Sequence, residues 1–582
     1  MKQKVLLSLS LLLILSSCQT LTTEQKNASQ VIRTSKERKD KDSAQAVGTK
    51  YAIATQGRYA TQAAEEIFAQ GGNIIDATVA ASFTVSVERP QSTGIGGGGF
   101  MIFREAKTGK TYAIDFRERA PFRASENMYI EQDGKPNLKL SQNGILAVGV
   151  PGLVAGLLEI HQRFGTLPLE QVMAPSIRLA EDGFAVYEEL QRALTYRAEA
   201  LKKDPSARSI FLTKEGQALS TGTVLVQKDL GKTLRLISKK GRDGFYKGSV
   251  ASSIVRLSVR EKGLISHRDL TSYKVKWREP VTGKFDGYEV YSMPPPSSGG
   301  IHVIQFLNFL ENDHLAKKGV LSAPSIHLAA SALQSSFADR AKYLGDPDFA
   351  KVPTQGLIAP KYVESRRQDV SLDKARRLKD VEAGNPLPYE SSETTHLSIM
   401  DAEGNAVSTT QTVNGWMGAA IVAPGTGVLL NNEMDDFSAK EGSSNLFGAI
   451  GGKPNAIAPE KTPLSSMSPT ILVKDGKPMM SVGAPGGTRI ISCVAQTILN
   501  YIEFKLPLYD SVSMIRYHHQ WQPDVLYIDP PGPRPEVLKK LQDMGYEVKL
   551  EPVYCNVMAV AREGDKLRGV ADPRDIGTSA AK

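Results

Sequence analysis

TTHLSIMDAEGNAVSTTQTVN, residues 394–414, decides how the rest of the chain is read. TTHLSIMD (394–401) and NAVSTTQTVN (405–414) are both rich in β-branched residues and alternate in polarity. Ala402-Glu403-Gly404 joins them, so the pattern predicts a β-hairpin. Before it, between about 364 and 393, runs SRRQDVSLDKARRLKDVEAGNPLPYESSE, charged at first and then containing Gly, Asn and Pro. Such composition predicts an exposed connector, so a loop-to-strand transition falls at Thr394. Taken alone, Thr394 and Thr395 read as two residues starting a strand. A threonine hydroxyl is a weak nucleophile, but if the peptide bond before Thr394 is cut, the residue's own α-amino group becomes a base within reach.

Working toward the N-terminus, MIFREAKTGKTYAIDFRE (101–118) predicts a second hairpin about a Thr-Gly turn. ATQAAEEIFAQGG (60–72) reads as a helix closed by Gly71-Gly72, and NIIDATVAASFTVSVE (73–88) as a second, mostly buried one. From 151 to about 350, segments such as GLVAGLLEIHQRF and SIRLAEDGF predict helices packed around a sheet. Residues 19 to about 48 are polar and poor in large apolar groups, which predicts an unfolded tether.

The first eighteen residues, MKQKVLLSLSLLLILSSC, place Lys2 and Lys4 before an apolar run too short to be an ordinary membrane span, the pattern of a secretory signal. Leu15-Ser16-Ser17-Cys18 resembles the bacterial lipobox, which makes Cys18 the expected lipidation site; an ordinary signal peptide with a chance cysteine is the alternative. Gln19, not aspartate, follows Cys18, which points to the outer membrane where the envelope has two. Cys493 and Cys555 are the only other cysteines, enough for one bridge and too few for a disulfide scaffold.

Several chemistries are excluded. Gly94-Ile95-Gly96-Gly97-Gly98-Gly99 matches a dinucleotide fingerprint as text, but a Pro-containing stretch precedes it and strand-like MIFRE follows, where a strand and then a helix are needed. The only adjacent histidines, His518-His519, lack a metal-ligand spacing and read as structural or supporting, so no metal is expected. No G-x-S-x-G elbow occurs. The formal charge of +9 divides into −3 from Thr394 onward, where 17 Lys+Arg face 20 Asp+Glu, and +12 before it. Neither part carries the dense basic patch of a nucleic-acid binder.

GGNIIDATVAA, TGIGGGGFMIF, AIDFRERAP, PPPSSGG, TTHLSIMD, LLNNEMDDFS, PLSSMSPT, APGGTRI and the closing ADPR occur in this order. From about Tyr51 to the C-terminus the chain thereby resembles the bacterial γ-glutamyltransferase (glutathione hydrolase) family. The resemblance implies an α+β fold, the four-layer αββα sandwich of N-terminal-nucleophile hydrolases, shared by a large and a small subunit cut from one precursor. This overrides the roughly four domains that length alone would suggest. The expected division is a signal peptide over 1–17, a lipid-anchored tether over 18–48, a large subunit over 49–393 and a small catalytic subunit over 394–582.

The resemblance also assigns roles. Thr394 matches the nucleophile that cuts the Glu393–Thr394 bond and then carries the γ-glutamyl group as an ester. Thr412 matches the threonine that hydrogen-bonds it, a cross-strand packing residue being the alternative. Gly486 and Gly487 match the backbone donors to the oxyanion. Arg117, Ser465 and Ser466 match the groups on the substrate α-carboxylate; Asn414, Glu433 and Asp436 match those around its α-ammonium. Position 433 is Gln or Glu in the family. SAKEGSSNLFGAIGGKPN (438–455) resembles the lid loop and places Phe447 where a tyrosine is common. The implied donors are glutathione and other γ-glutamyl compounds; the acceptors are amino acids, peptides or water, with no cofactor. A cephalosporin or glutaryl acylase is the nearest rival, disfavoured because a substrate without an α-amino group would leave the acids unpaired. A non-catalytic surface lipoprotein is the rival from another class, but Thr394 and Gly486-Gly487 are retained.

Overall fold

The computed structural model describes residues 44–386 and 397–582. The hairpin at Ser398–Asp401 and Ala406–Thr412 forms in antiparallel register, with Ser398 opposite Ser408 and Met400 opposite Ala406. It lies at the middle of a seven-stranded antiparallel sheet whose order is Thr578–Ala581, Tyr51–Thr55, Ser398–Asp401, Ala406–Thr412, Gly98–Arg104, Thr111–Phe116 and Lys276–Arg278. A second antiparallel sheet, also seven-stranded, runs Gln45–Gly48, Lys566–Ala571, Met558–Glu563, Lys477–Gly483, Thr470–Lys474, Tyr288–Ser292 and Val281–Phe285.

Period-two alternation explains the stacking. Along Tyr51–Thr55, Ala52 and Ala54 enter one core and Ile53 the other; along Gly98–Arg104, Phe100 and Ile102 part from Met101 and Phe103 in the same way. A strand apolar on both sides needs cover on both. The second sheet covers one face of the first, and the Ser481 hydroxyl donates across the gap to the Val407 carbonyl at 2.8 Å. Ile74–Glu88 and Leu153–Phe164 cover the other face, while Gly299–Leu310 and Arg489–Ile502 lie outside the second sheet. Ile74–Glu88 is buried along its whole length, since Leu169–Asp182 packs on its far side, and Asn73 with Asp76 closes its first turn as a capping box. The architecture is the expected αββα sandwich.

Two expectations need correction. Gln45–Gly48, inside the stretch read as tether, is an edge strand paired with Lys566–Ala571, and Ala44 before it is fully buried. An edge strand pairs through its backbone, which composition does not reveal. The connector is also not exposed as far as Pro386: Val370, Ala375, Arg376 and Val381 are buried. Arg376 donates to the Ser331 carbonyl at 2.7 Å and the Ser335 hydroxyl at 2.9 Å, fastening the segment to helix Ala323–Tyr343. Cys493 and Cys555 are bridged, with Cα atoms 6.7 Å apart. Among the described residues no helix is long and apolar enough to cross a membrane.

Candidate active site

Arg117 follows strand Thr111–Phe116 and is almost wholly buried. Its guanidinium meets Glu433 Oε1 and Asp436 Oδ2, each at 2.6 Å, and Nε donates to the Pro463 carbonyl at 2.9 Å. Both acids come from the short helical turn Glu433–Asp436. Burial pushes the Glu433 carboxyl up to about 7 despite the attraction of Arg117, and burial likewise raises Asp436. Glu118, fully buried beside Glu433, is raised well above the ordinary carboxylate value, first by desolvation and then by the negative charge of Glu433.

Arg117, Glu433 and Asp436 line a cavity of about 360 Å³ that also takes in Thr412, Asn414, Ser465, Ser466, Gly486, Gly487 and Phe447. All the expected binding and oxyanion residues therefore converge. Thr412 ends its strand, and its hydroxyl accepts the Asn414 N–H at 2.7 Å. Asn414 has φ 72°, and its amide donates to the Asn432 carbonyl at 3.0 Å, which turns the chain sharply at the strand end. Gly486 and Gly487 have φ of 138° and 58°, backbone that glycine adopts without strain. A Cβ on Gly487 would also stand 2.4 Å from Phe447 Cδ1, so the 438–455 loop lies directly on this turn. Glu393 and Thr394 fall in 387–396, and Cys18 precedes residue 44, so these three lie outside the described residues. Leu397, the first residue described after the gap, lines the cavity.

The 438–455 loop is tied to the acids. Asn445 donates to Asp436 Oδ1 at 2.7 Å, and its own side-chain oxygen accepts the N–H groups of Phe447 and Ala449, each at 3.0 Å. Leu446 N–H donates to Asp435 Oδ2 at 2.8 Å, and Gln520 reaches the Gly448 carbonyl at 3.1 Å. His518 bonds the same Gln520 through Nε2 at 2.9 Å, and burial depresses it to about 3, so it stays neutral. That is the supporting part its spacing suggested.

Among the lining residues that escaped the sequence reading are Arg340, Asn445, and the aromatic pair Tyr196 and Trp416, whose rings meet edge to face 5.9 Å apart at the mouth. Asn445 sits inside the quoted lid segment, and a polar side chain two residues before its aromatic was the available signal. Arg340 gave none, because a basic residue in a helix's last turn ordinarily complements the dipole.

Two antiparallel sheets stacked between helical layers, with a charged cavity at the strand end that follows the connector, define a hydrolase of the N-terminal-nucleophile class. A model of the gamma-glutamyltranspeptidase family matches residues 60–582, and the chain belongs to that family. The glutathione hydrolase proenzyme of Escherichia coli (strain K12) is 44% identical over 526 residues, covering 90% of each chain. Cephalosporin acylase from Bacillus halodurans superposes with a TM-score of 0.83 at 25% identity, over 94% of this chain and 98% of that one. Gamma-glutamyltranspeptidase from Helicobacter pylori gives 0.56 at 40% identity, over 57% of this chain and 94% of that one.

Proposed function

We propose that the chain is a precursor that cleaves itself between Glu393 and Thr394 and then, as a large and a small subunit, moves γ-glutamyl groups from glutathione and related donors to amino acids, peptides or water. Thr394 attacks the γ-carbonyl, its own α-amino group taking the hydroxyl proton. The N–H groups of Gly486 and Gly487 receive the oxyanion, Thr412 orients the nucleophile, and Phe447 covers the glycine turn. Collapse of the tetrahedral intermediate breaks the donor C–N bond, the departing amine takes the proton held by the α-amino group, and the γ-glutamyl group stays on Thr394 as an ester. An amine or water then attacks that ester carbonyl, giving its proton to the α-amino group, and the Thr394 oxygen leaves with that proton as the free hydroxyl. The charge map of the cavity carries this reading. A γ-glutamyl group presents a carboxylate and an ammonium on one carbon, and the site sets a guanidinium and two hydroxyls beside two acids and an amide. Export as a lipoprotein anchored through Cys18, on the periplasmic side of the outer membrane or at the cell surface, completes the proposal.

The acylase reading meets the same fold but not the same charges. Purified mature protein is expected to release p-nitroaniline from γ-glutamyl p-nitroanilide, faster with glycylglycine present, and to separate under denaturing conditions into two chains, the smaller starting at Thr394. Glutaryl p-nitroanilide lacks the ammonium and is expected to react at least about 10²-fold more slowly, since it leaves the buried acids unpaired. Equal rates on the two anilides would favour the acylase. Gly487→Ala is expected to displace Phe447 and disturb one oxyanion donor, lowering kcat by about 10- to 10³-fold with a smaller change in KM. An unaltered kcat would remove Gly487 from the oxyanion site.

A further inference from the structure

PPPSSGG, residues 294–300, has so far been given no part in the chemistry. In the fold it is laced to the Leu464–Met467 turn, which carries the two expected carboxylate donors. Ser298 offers both its N–H and its hydroxyl to the Ser465 carbonyl, each at 2.9 Å, and Ser465 N–H donates to the Pro296 carbonyl at 2.8 Å. Across these two turns lies Arg340, from the last turn of helix Ala323–Tyr343. Its Nε donates to the Ser298 hydroxyl and its Nη2 to the Ser466 hydroxyl, both at 3.1 Å. Arg340 lines the same cavity as Arg117 and is almost as deeply buried.

The two guanidinium groups differ in their company. Arg117 already holds two carboxylates at 2.6 Å. Arg340 donates to two neutral hydroxyls and forms no ion pair with a described carboxylate; Asp436 attracts it from further off and Arg117 repels it. Loss of solvent draws it down to about 10, which still leaves it charged at neutral pH. A buried cation without a counter-ion is unfavourable unless an anion arrives to balance it.

We propose that Arg340 is a positioning residue of the α-carboxylate subsite, holding Ser466 so that its hydroxyl proton points at the substrate carboxylate and supplying the positive charge that Arg117 has largely committed to Glu433 and Asp436. The hydroxyl of Ser466 accepts from Arg340, so its proton is left to donate. Ser298 aligns the guanidinium from the other end and fixes the Ser465 backbone, which gives PPPSSGG its place in substrate binding. This rests on the assignment of Ser465 and Ser466 to the γ-glutamyl carboxylate.

The test compares kcat/KM for γ-glutamyl p-nitroanilide with that for 4-aminobutanoyl p-nitroanilide, which keeps the amine and the scissile amide and lacks only the carboxylate. Mature wild-type protein is expected to favour the first strongly. In Arg340→Gln that ratio is expected to fall about 10- to 100-fold, chiefly through KM for the γ-glutamyl donor. A fall of equal size on both anilides, or a ratio equal to the wild type's, overturns the proposal. Should Arg340→Gln not mature, Arg340→Lys and Ser298→Ala take its place, each expected to compress the ratio by about 3- to 10-fold, and an unchanged ratio in both is equally decisive. A wild-type ratio near one would instead remove the carboxylate assignment, and this inference with it.

Discussion

Thr394→Ala is expected to leave one uncut chain and to reduce γ-glutamyl p-nitroanilide hydrolysis by on the order of 10⁴-fold or more. Both losses have one cause. The hydroxyl is needed first to attack the peptide bond before it and later to attack the donor amide, and alanine has no hydroxyl for either step. Leu397, the first residue described after Thr394, lines the same cavity as Gly486 and Gly487. The Leu397 carbonyl accepts the Thr409 N–H at 2.5 Å, pinning the strand start against Ala406–Thr412. Denaturing electrophoresis and N-terminal sequencing read the cleavage, and the anilide assay reads turnover. Two chains from this variant, or activity within about tenfold of wild type, would require another nucleophile.

What the sequence made legible follows the range over which each feature is determined. The hairpin at Ser398–Asp401 and Ala406–Thr412 rests on alternation within twenty residues, and its register is the one the pattern demands, because a one-residue slip would exchange Ile399 and Met400 between two different cores. Arg117, Glu433 and Asp436 were named through uncommon strings in fixed order, not through any local rule. Their direct pairing arises only when a strand end and a turn more than three hundred residues apart are brought together. Gln45–Gly48 was hidden because its partner, Lys566–Ala571, lies at the far end of the chain. Arg376 looked solvated in a basic run, yet its partners Ser331 and Ser335 come from helix Ala323–Tyr343, with the helices Thr354–Ile358 and Pro360–Gln368 between them in sequence. Glu118 stood in plain view beside Arg117, but no sequence rule says that a glutamate will be buried there, and its raised pKa follows from that burial and from the charge of Glu433 beside it.

Arg117→Ala is expected to lower kcat/KM for glutathione by roughly 10²- to 10⁴-fold, with KM carrying most of the change. The side chain removed is at once the proposed carboxylate partner and the counter-ion of the two acids that would receive the ammonium, so both ends of the substrate lose their complement. The same change is expected to destabilise the fold by about 3–5 kcal/mol, because Glu433 and Asp436 are left buried without their cation. Its pH dependence has a definite sign. Burial already holds Glu433 at about 7 with Arg117 present, and without the guanidinium the carboxyls of Glu433 and Asp436 move higher still. A carboxyl whose folded pKa exceeds its unfolded one binds more protons when folded, so its contribution is most favourable below the unfolded value and is lost as pH rises through the folded one. Denaturation midpoints of the variant should therefore approach wild type near pH 5 and fall away from it between about pH 6 and 8. A deficit that is flat across this range would mean that the acids are not the origin of the instability, and an unchanged KM for glutathione would move the carboxylate subsite away from Arg117.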